Sequence, residues 1–175
     1  MSNFAIPLWE TPSIPVVDGG PFPVHRIFCV GRNYAAHARE MGHDPDRDPP
    51  FFFAKPANAV VANNTTTPYP DETQDMHPEI EMVVALKSGG YRIAENQALD
   101  TVFGYCVGLD MTRRDMQSGF KDMGRPWDMA KGFDRSAPMS EIHTAASVGH
   151  ISSGAVTLAV NGDVRQEGDV NQLIW

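Results

Sequence analysis

The 175-residue sequence predicts a β-rich α+β domain, and three observations lead there. Apolar runs of four to eight residues recur along the chain, each closed by Gly, Pro, Asn or Asp, which is the mark of short strands. The segment VTLAVNGDVRQ alternates apolar and polar residues around Asn161–Gly162, the strongest short hairpin signal available. Helical signals are confined to a few short stretches.

Taken in order, residues 1–23 carry Pro7, Pro12, Pro15, Pro21 and Pro23, a density that forbids a helix and predicts an extended arm laid over the domain of residues 24–175. Val24 to Val30 is a β-rich run that meets Gly31, and RNYAAHAREMG follows as a short helix stopped at Gly42. GHDPDRDPP is turn chemistry, after which Phe51–Phe53 and Ala59–Ala62 read as buried strands broken at Lys55 and Pro56. NNTTTPYPDETQDM reads as loop. His77 to Leu86 reads as one strand with His77, Glu79 and Glu81 on a single face by the period of two. SGGYR is a turn, Glu95 to Phe103 a short helix closed by Gly104, and Tyr105 to Leu109 a strand ending at Asp110. Residues 111–140 have weak periodicity and read as loop with a helical turn around Thr112 to Gln117. No internal repeat or low-complexity tract is present.

Fourteen Lys plus Arg against 22 Asp plus Glu leave a net charge of −8 and a pI near 5.1, which argues against nucleic acid or an anionic membrane as partner. The N-terminus lacks the basic and apolar regions of a secretory signal, and Ile142 to Gly162 is too polar to span a bilayer, so a cytoplasmic location is expected. Cys29 and Cys106 have no CxxC spacing and read as buried thiols of a reducing compartment.

Glu79 and Glu81, at i and i+2 on a strand, project from one face with Cβ atoms roughly 6.5 to 7 Å apart. Asp110, at the end of an apolar strand, offers a third carboxylate, and three carboxylates without a well-placed His or Cys suit a hard ion such as Mg2+, Mn2+ or Ca2+ rather than Zn2+. A solvated strand face with ordinary surface glutamates is the simpler account of an isolated ExE, and the motif alone is weak. His37 and Glu40, three apart on the expected helix, have the spacing of a base and its orienting carboxylate, and also that of an ordinary surface pair. Lys131, between Trp127 and Phe133, is either a cation held over a substrate oxyanion or a snorkelling surface lysine. Arg113, Arg114 and Gln117 offer fixed donors to an anion, or form a solvated helical turn. Searches for GxGxxG, GxxxxGK[ST] and GxSxG find none.

The blocks VGRNYAAHAREMG, FFFAKPANAVV, HPEIE, GYCVGLDMTRRDMQ and WDMAKGFD, in this order, resemble the fumarylacetoacetate hydrolase family from about Arg26 to the last residue. Within it, GHDPDRDPPFFFAKPANAVV is most similar to members that act on fumarylpyruvate in gentisate breakdown. The resemblance implies a mixed β-sheet roll, a homodimer, and Glu79, Glu81 and Asp110 as ligands for Mg2+ or Mn2+, with Ca2+ as a substitute in crystals. It implies His37 and Glu40 as the pair that activates water, and Lys131, Gln117 and the neighbouring Arg114 as contacts to the oxygens of a small anionic diketo-acid substrate. Leu109 is a departure, since relatives often carry Asn before the aspartate. The implied reaction is metal-dependent hydrolysis of a carbon–carbon bond in an acylpyruvate, with fumarylpyruvate giving fumarate and pyruvate. Oxaloacetate decarboxylation, isomerase/decarboxylase chemistry on diacids of aromatic catabolism, and a non-catalytic metal-dependent structural module are the alternatives. Family members continue past the NGDVRQEG hairpin into closing strands, so the roll is expected to lack its C-terminal closing segment.

Overall fold

The run EMVVAL and the run VFGYCVGL pair with each other because each can bury one face, and they form the longest ladder of the chain. The structure, a computed structural model, describes residues 4–34 and 49–175. Among these residues the strands in chain order are β1 (Ser13–Ile14), β2 (Phe22–Pro23), β3 (Ile27–Gly31), β4 (Phe51–Lys55), β5 (Val60–Ala62), β6 (Met76–His77) and β7 (Ile80–Leu86). They continue with β8 (Val102–Leu109), β9 (Thr112–Arg113), β10 (Ala137–Met139), β11 (His143–Thr144), β12 (Ala155–Val160) and β13 (Asp163–Asp169). Three short α-helices among the described residues, α1 (Arg114–Asp122), α2 (Asp128–Lys131) and α3 (Ala145–Val148), accompany these strands.

Strand β8 organises the main sheet: antiparallel β7 covers one edge, and β10 and β11 share the other. Beyond β10 lies β5, in parallel register from Ala137 opposite Val60 to Met139 opposite Ala62. Smaller antiparallel pairs, β3 with β4, β6 with β9, and β12 with β13, surround this sheet. The core is one cluster in which Ala85, Cys106, Ala137, Met139 and Ile142 of the sheet meet Ile14, Val16 and Val24 of the N-terminal segment. Burial of these side chains is the dominant driving force for the layer arrangement. Residues 4–23 hold no helix, and Val17 N donates to Ile142 O at 3.0 Å, stitching the segment to the sheet. Cys29 and Cys106 are buried free thiols. No helix among the described residues is long and apolar enough to cross a membrane.

Several expectations change in detail. The strand expected over His77 to Leu86 is two strands, because Pro78 has no N–H to give a ladder; His77 pairs with Thr112 across β6 and β9, and β7 starts at Ile80. Glu95–Thr101 is a 3₁₀ helix, and the chain is already extended at Val102, so Gly104 lies inside β8 instead of capping a helix. The stretch expected as loop contains α1, α2, β9 and β10. The inward side of α1 is built on Gln117 with its neighbours Arg113 and Arg114, so the apolar periodicity that signals a helix is weak there. The first central strand begins at Ile27 rather than Val24, and Lys55 ends a strand rather than interrupting one. The helix expected over residues 32–42 falls mostly outside the described residues. The hairpin at β12–β13 turns at Asn161 (φ 55°) and Gly162 (φ 91°), the paired positive values that a tight two-residue turn requires.

Candidate metal and substrate site

The β7–β8 ladder sets Glu81 opposite Gly108 and Ile80 opposite Leu109, which carries Asp110 to the level of Glu79. Asp110 N donates to Glu79 O at 2.8 Å, locking the two chain ends together. As a result the ligand oxygens of Glu79, Glu81 and Asp110 all lie within 4.8 Å of one another. Asp110 is buried, at 4% exposure, and the two glutamates are half-buried.

Three cations face the three carboxylates. Lys131, 2% exposed at the end of α2, donates from Nζ to Glu79 Oε2 (2.9 Å), Asp110 Oδ2 (2.6 Å) and the Thr112 hydroxyl (2.6 Å). All three of its N–H groups are thereby used. It also lies 4.9 Å from the Phe53 ring centroid. Helix α2 reaches this position because Trp127, just before it, packs on Phe51 and Phe53 of β4, with centroids 5.5 and 5.9 Å away. Arg114 bonds Glu79 Oε1 and, at 2.5 Å, the side-chain oxygen of buried Gln117. Lys55, at the end of β4, donates to Met111 O (3.0 Å) and to Lys131 O, and sits 2.8 Å from Asp110 Oδ1.

The electrostatics follow from this crowding. Burial, then Asp110 and Glu79, pushes the Glu81 carboxyl up to about 7. Burial also pushes Glu79 up, but Lys131 and Arg114 outweigh it and hold that carboxyl below the ordinary carboxylate range. Burial lowers Lys55 in spite of Asp110. The Cys29 thiol is driven to about 12, first by burial and then by Asp110 and Glu81, so it stays protonated and unreactive beside the site.

Two observations show that this pocket of oxygens fits a divalent cation. Asp110 Oδ1 is buried, makes no bond to the lysine, Lys131, that holds Oδ2, and has the Lys55 ammonium as its ion-pair neighbour at 2.8 Å. Among the described residues the Glu81 carboxylate has no hydrogen-bond or ion-pair partner. An all-carboxylate donor set of this size is the chemistry of Mg2+ and Mn2+.

Of the residues singled out in the sequence, the structure brings together Glu79, Glu81, Asp110, Lys131, Arg114 and Gln117. His37 and Glu40 lie outside the described residues. His77 stays apart from the triad and pairs with Asp75 at 2.8 Å. Arg113 turns away from its neighbour: it stacks on Phe133 at 4.4 Å and pairs with Glu72 at 3.2 Å. A separate cleft of about 560 Å3 opens beside that stack, lined by Pro68, Glu72, Arg113, Asp128 and Phe133 and by none of the three carboxylates. Sequence reading missed Lys55 and Thr112; a lysine closing the apolar run FFFA was the one available hint.

A strand-rich roll carrying a carboxylate triad beside a buried lysine defines a metal-dependent class of enzyme fold. Residues 26–175 match the family described as fumarylacetoacetate (FAA) hydrolase C-terminal, and the chain belongs to that family. The chain is 39% identical over 137 residues to a fumarylpyruvate hydrolase of a Ralstonia species, covering 77% of this chain and 71% of the relative. It is 36% identical over 150 residues to a mitochondrial oxaloacetate tautomerase of Arabidopsis thaliana, covering 86% and 67%. It also superimposes on the crystal structure of fumarylpyruvate hydrolase from Pseudomonas aeruginosa in complex with Mn2+ and pyruvate, with TM-score 0.93, 50% identity, and coverage of 99% and 76%.

Proposed function

We propose that the protein is a divalent-metal-dependent hydrolase that cleaves a carbon–carbon bond in an acylpyruvate, with fumarylpyruvate as the preferred substrate and fumarate and pyruvate as products. The observation that carries this reading is the triad of Glu79, Glu81 and Asp110 with Lys131 set between two of its members. The likeness to the two fumarylpyruvate hydrolases supports the choice of substrate.

In this reading Glu79, Glu81 and Asp110 hold Mg2+ or Mn2+. The ion supplies Lewis-acid polarisation of the substrate's carboxylate and α-keto oxygens and fixes their orientation. His37, oriented by Glu40, takes a proton from water as the water oxygen attacks the acyl carbonyl. Gln117, with Arg114 beside it, donates to the oxygens that gain negative charge, and Lys131 steadies that charge with its own ammonium charge. The bond between the acyl carbon and the pyruvyl methylene then breaks, the acyl part leaves as a carboxylate, and the methylene carbon recovers a proton to give pyruvate.

A second reading, tautomerisation of oxaloacetate, is favoured by the Arabidopsis relative, and it needs the same oxygen ligands but no attacking water. One experiment separates the two. Purified protein with Mn2+ is incubated with fumarylpyruvate, acetylpyruvate and oxaloacetate while enol absorbance and released pyruvate are followed. Stoichiometric pyruvate and fumarate from fumarylpyruvate is the expected result. Rapid enol–keto exchange of oxaloacetate without cleavage of either acylpyruvate would replace hydrolysis with the second reading.

A further inference from the structure

The side chain of Gln166, on β13, reaches β7 from 86 residues away and grips one residue twice. Its Oε1 accepts from Ile80 N at 2.8 Å, and its Nε2 donates to Ile80 O at 2.8 Å. Only one orientation of the amide satisfies both bonds. Ile80 is the residue between Glu79 and Glu81.

The backbone geometry explains why this grip matters. In an antiparallel ladder, alternate residues direct their N–H and C=O to opposite edges of the strand. Glu79 O faces β8 and takes the Asp110 N–H, so the polar groups of Ile80 face the other edge. No strand pairs with that edge at Ile80 among the described residues, and Pro78, two residues earlier, has no N–H with which to extend the ladder. Gln166 thus stands in for a missing strand with a single amide. Its own position is prepared by an irregularity: the β12–β13 register shifts between Leu158 and Ala159, leaving Arg165 without a partner immediately before Gln166.

We propose that Gln166 is a positioning residue that sets the direction of both glutamates by clamping the peptide groups of Ile80, so that the hairpin controls the geometry of the metal ligands from outside the site. Fixing φ and ψ at Ile80 fixes the relative aim of the Cβ atoms on either side, which share one face of the strand. Partners that hold the ligating side chains themselves typically change metal affinity 10- to 100-fold when removed, and a clamp on the backbone between two ligands is expected to act in the same range. The inference rests on the reading of Glu79 and Glu81 as metal ligands.

The test uses the full chain and Mn2+ alone. Titration calorimetry gives the affinity, and the electron paramagnetic resonance spectrum of bound Mn2+ reports the symmetry of its ligands. Gln166→Ala and the near-isosteric Gln166→Glu, which sets a carboxylate oxygen against Ile80 O, are compared with Leu158→Ala, which weakens the same hairpin opposite Gln166 without touching the amide. The expected result is a 10- to 100-fold weaker Mn2+ affinity and a broadened spectrum in both Gln166 variants. Leu158→Ala is expected to keep the parent affinity and spectrum at a lowered melting temperature. Parent-like affinity and spectrum in the Gln166 variants would overturn the inference, and so would an equal loss in Leu158→Ala. Failure of the unsubstituted chain to bind Mn2+ would instead remove the metal reading itself, and the inference with it.

Discussion

Lys55 shows how much one side chain can be asked to do. Its ammonium spans the carbonyls of Met111 and Lys131 and the carboxylate of Asp110, and therefore ties β4, the chain after β8 and the end of α2 to one point. Without Lys55 the Asp110 carboxylate keeps only its bond to Lys131, and two carbonyls lose their donor; leaving a buried polar group unsatisfied costs about 1–3 kcal/mol. Lys55→Met is expected to destabilise the metal-free protein by that order. Saturating Mn2+ should restore part of the loss, because the ion replaces the missing positive charge beside Asp110. Thermal melts of both proteins with and without Mn2+ check this, and an equal loss in both conditions would show that Lys55 acts through packing alone. The contrast with the glutamates explains what was legible at this scale. Glu79 and Glu81 declare themselves through a spacing of two, and Asp110 through its place at the end of an apolar run. Lys55, Thr112 and Gln166 reach the site from other elements, and no local pattern encodes contacts separated by 19 to 86 residues.

Among elements, β8 carries the tightest constraint. At Gly104 an added Cβ would run into the His143 carbonyl oxygen and crowd the Ile142 side chain, so β11 could not keep its register. Alanine is otherwise better suited to a strand than glycine by roughly 0.5–1 kcal/mol, and here the clash decides the sign. Gly104→Ala is expected to lower stability by about 1–3 kcal/mol, read as a shift in the urea midpoint. The same residue marks where element reading from sequence went astray. Gly104 has the look of a helix stop, yet close approach of backbone to backbone is what demands glycine there. The β12–β13 hairpin, by contrast, was fully legible, since its Asn161–Gly162 turn depends on local backbone preference. Pro78 was visible in the sequence too, but its splitting of the ExE strand follows from the missing ladder bond rather than from hydrophobic pattern.

For the molecule as a whole, the charged cluster couples stability to pH. Glu81 holds its proton in the folded chain up to about pH 7, against an ordinary value of 4.5. The stabilisation from the protonated form is therefore complete below about 4.5 and is lost as pH rises through 7. A shift of this size corresponds to about 3 kcal/mol, at 1.36 kcal/mol for each tenfold step. Glu79 runs the other way, but its stabilisation fades only as pH falls below the ordinary carboxylate range, so it adds no slope from pH 5 to 8, and the comparison with Glu81→Gln separates Glu81 from the six histidines. The metal-free protein is expected to melt lower at pH 8 than at pH 5, Glu81→Gln should flatten that slope, and Mn2+ should raise the melting temperature most at pH 8, where no proton competes for the carboxylate. Melting curves that rise from pH 5 to 8 without metal would contradict this assignment.

The parallel pairing of β5 with β10 has a consequence for how the chain reaches this state. Bringing Ala62 beside Met139 closes a loop that contains Glu79, Glu81, Asp110, Thr112 and Lys131. The entropy of loop closure must be met before such distant contacts reward it, and folds that depend on them are slow. The hairpins β7–β8 and β12–β13 can form early from neighbouring residues, so all three carboxylate ligands can be aligned while the ring of cations is still incomplete. Docking of α2 and Lys131 on the sheet is then expected late in folding, so that Lys131→Met should speed unfolding more than it slows folding.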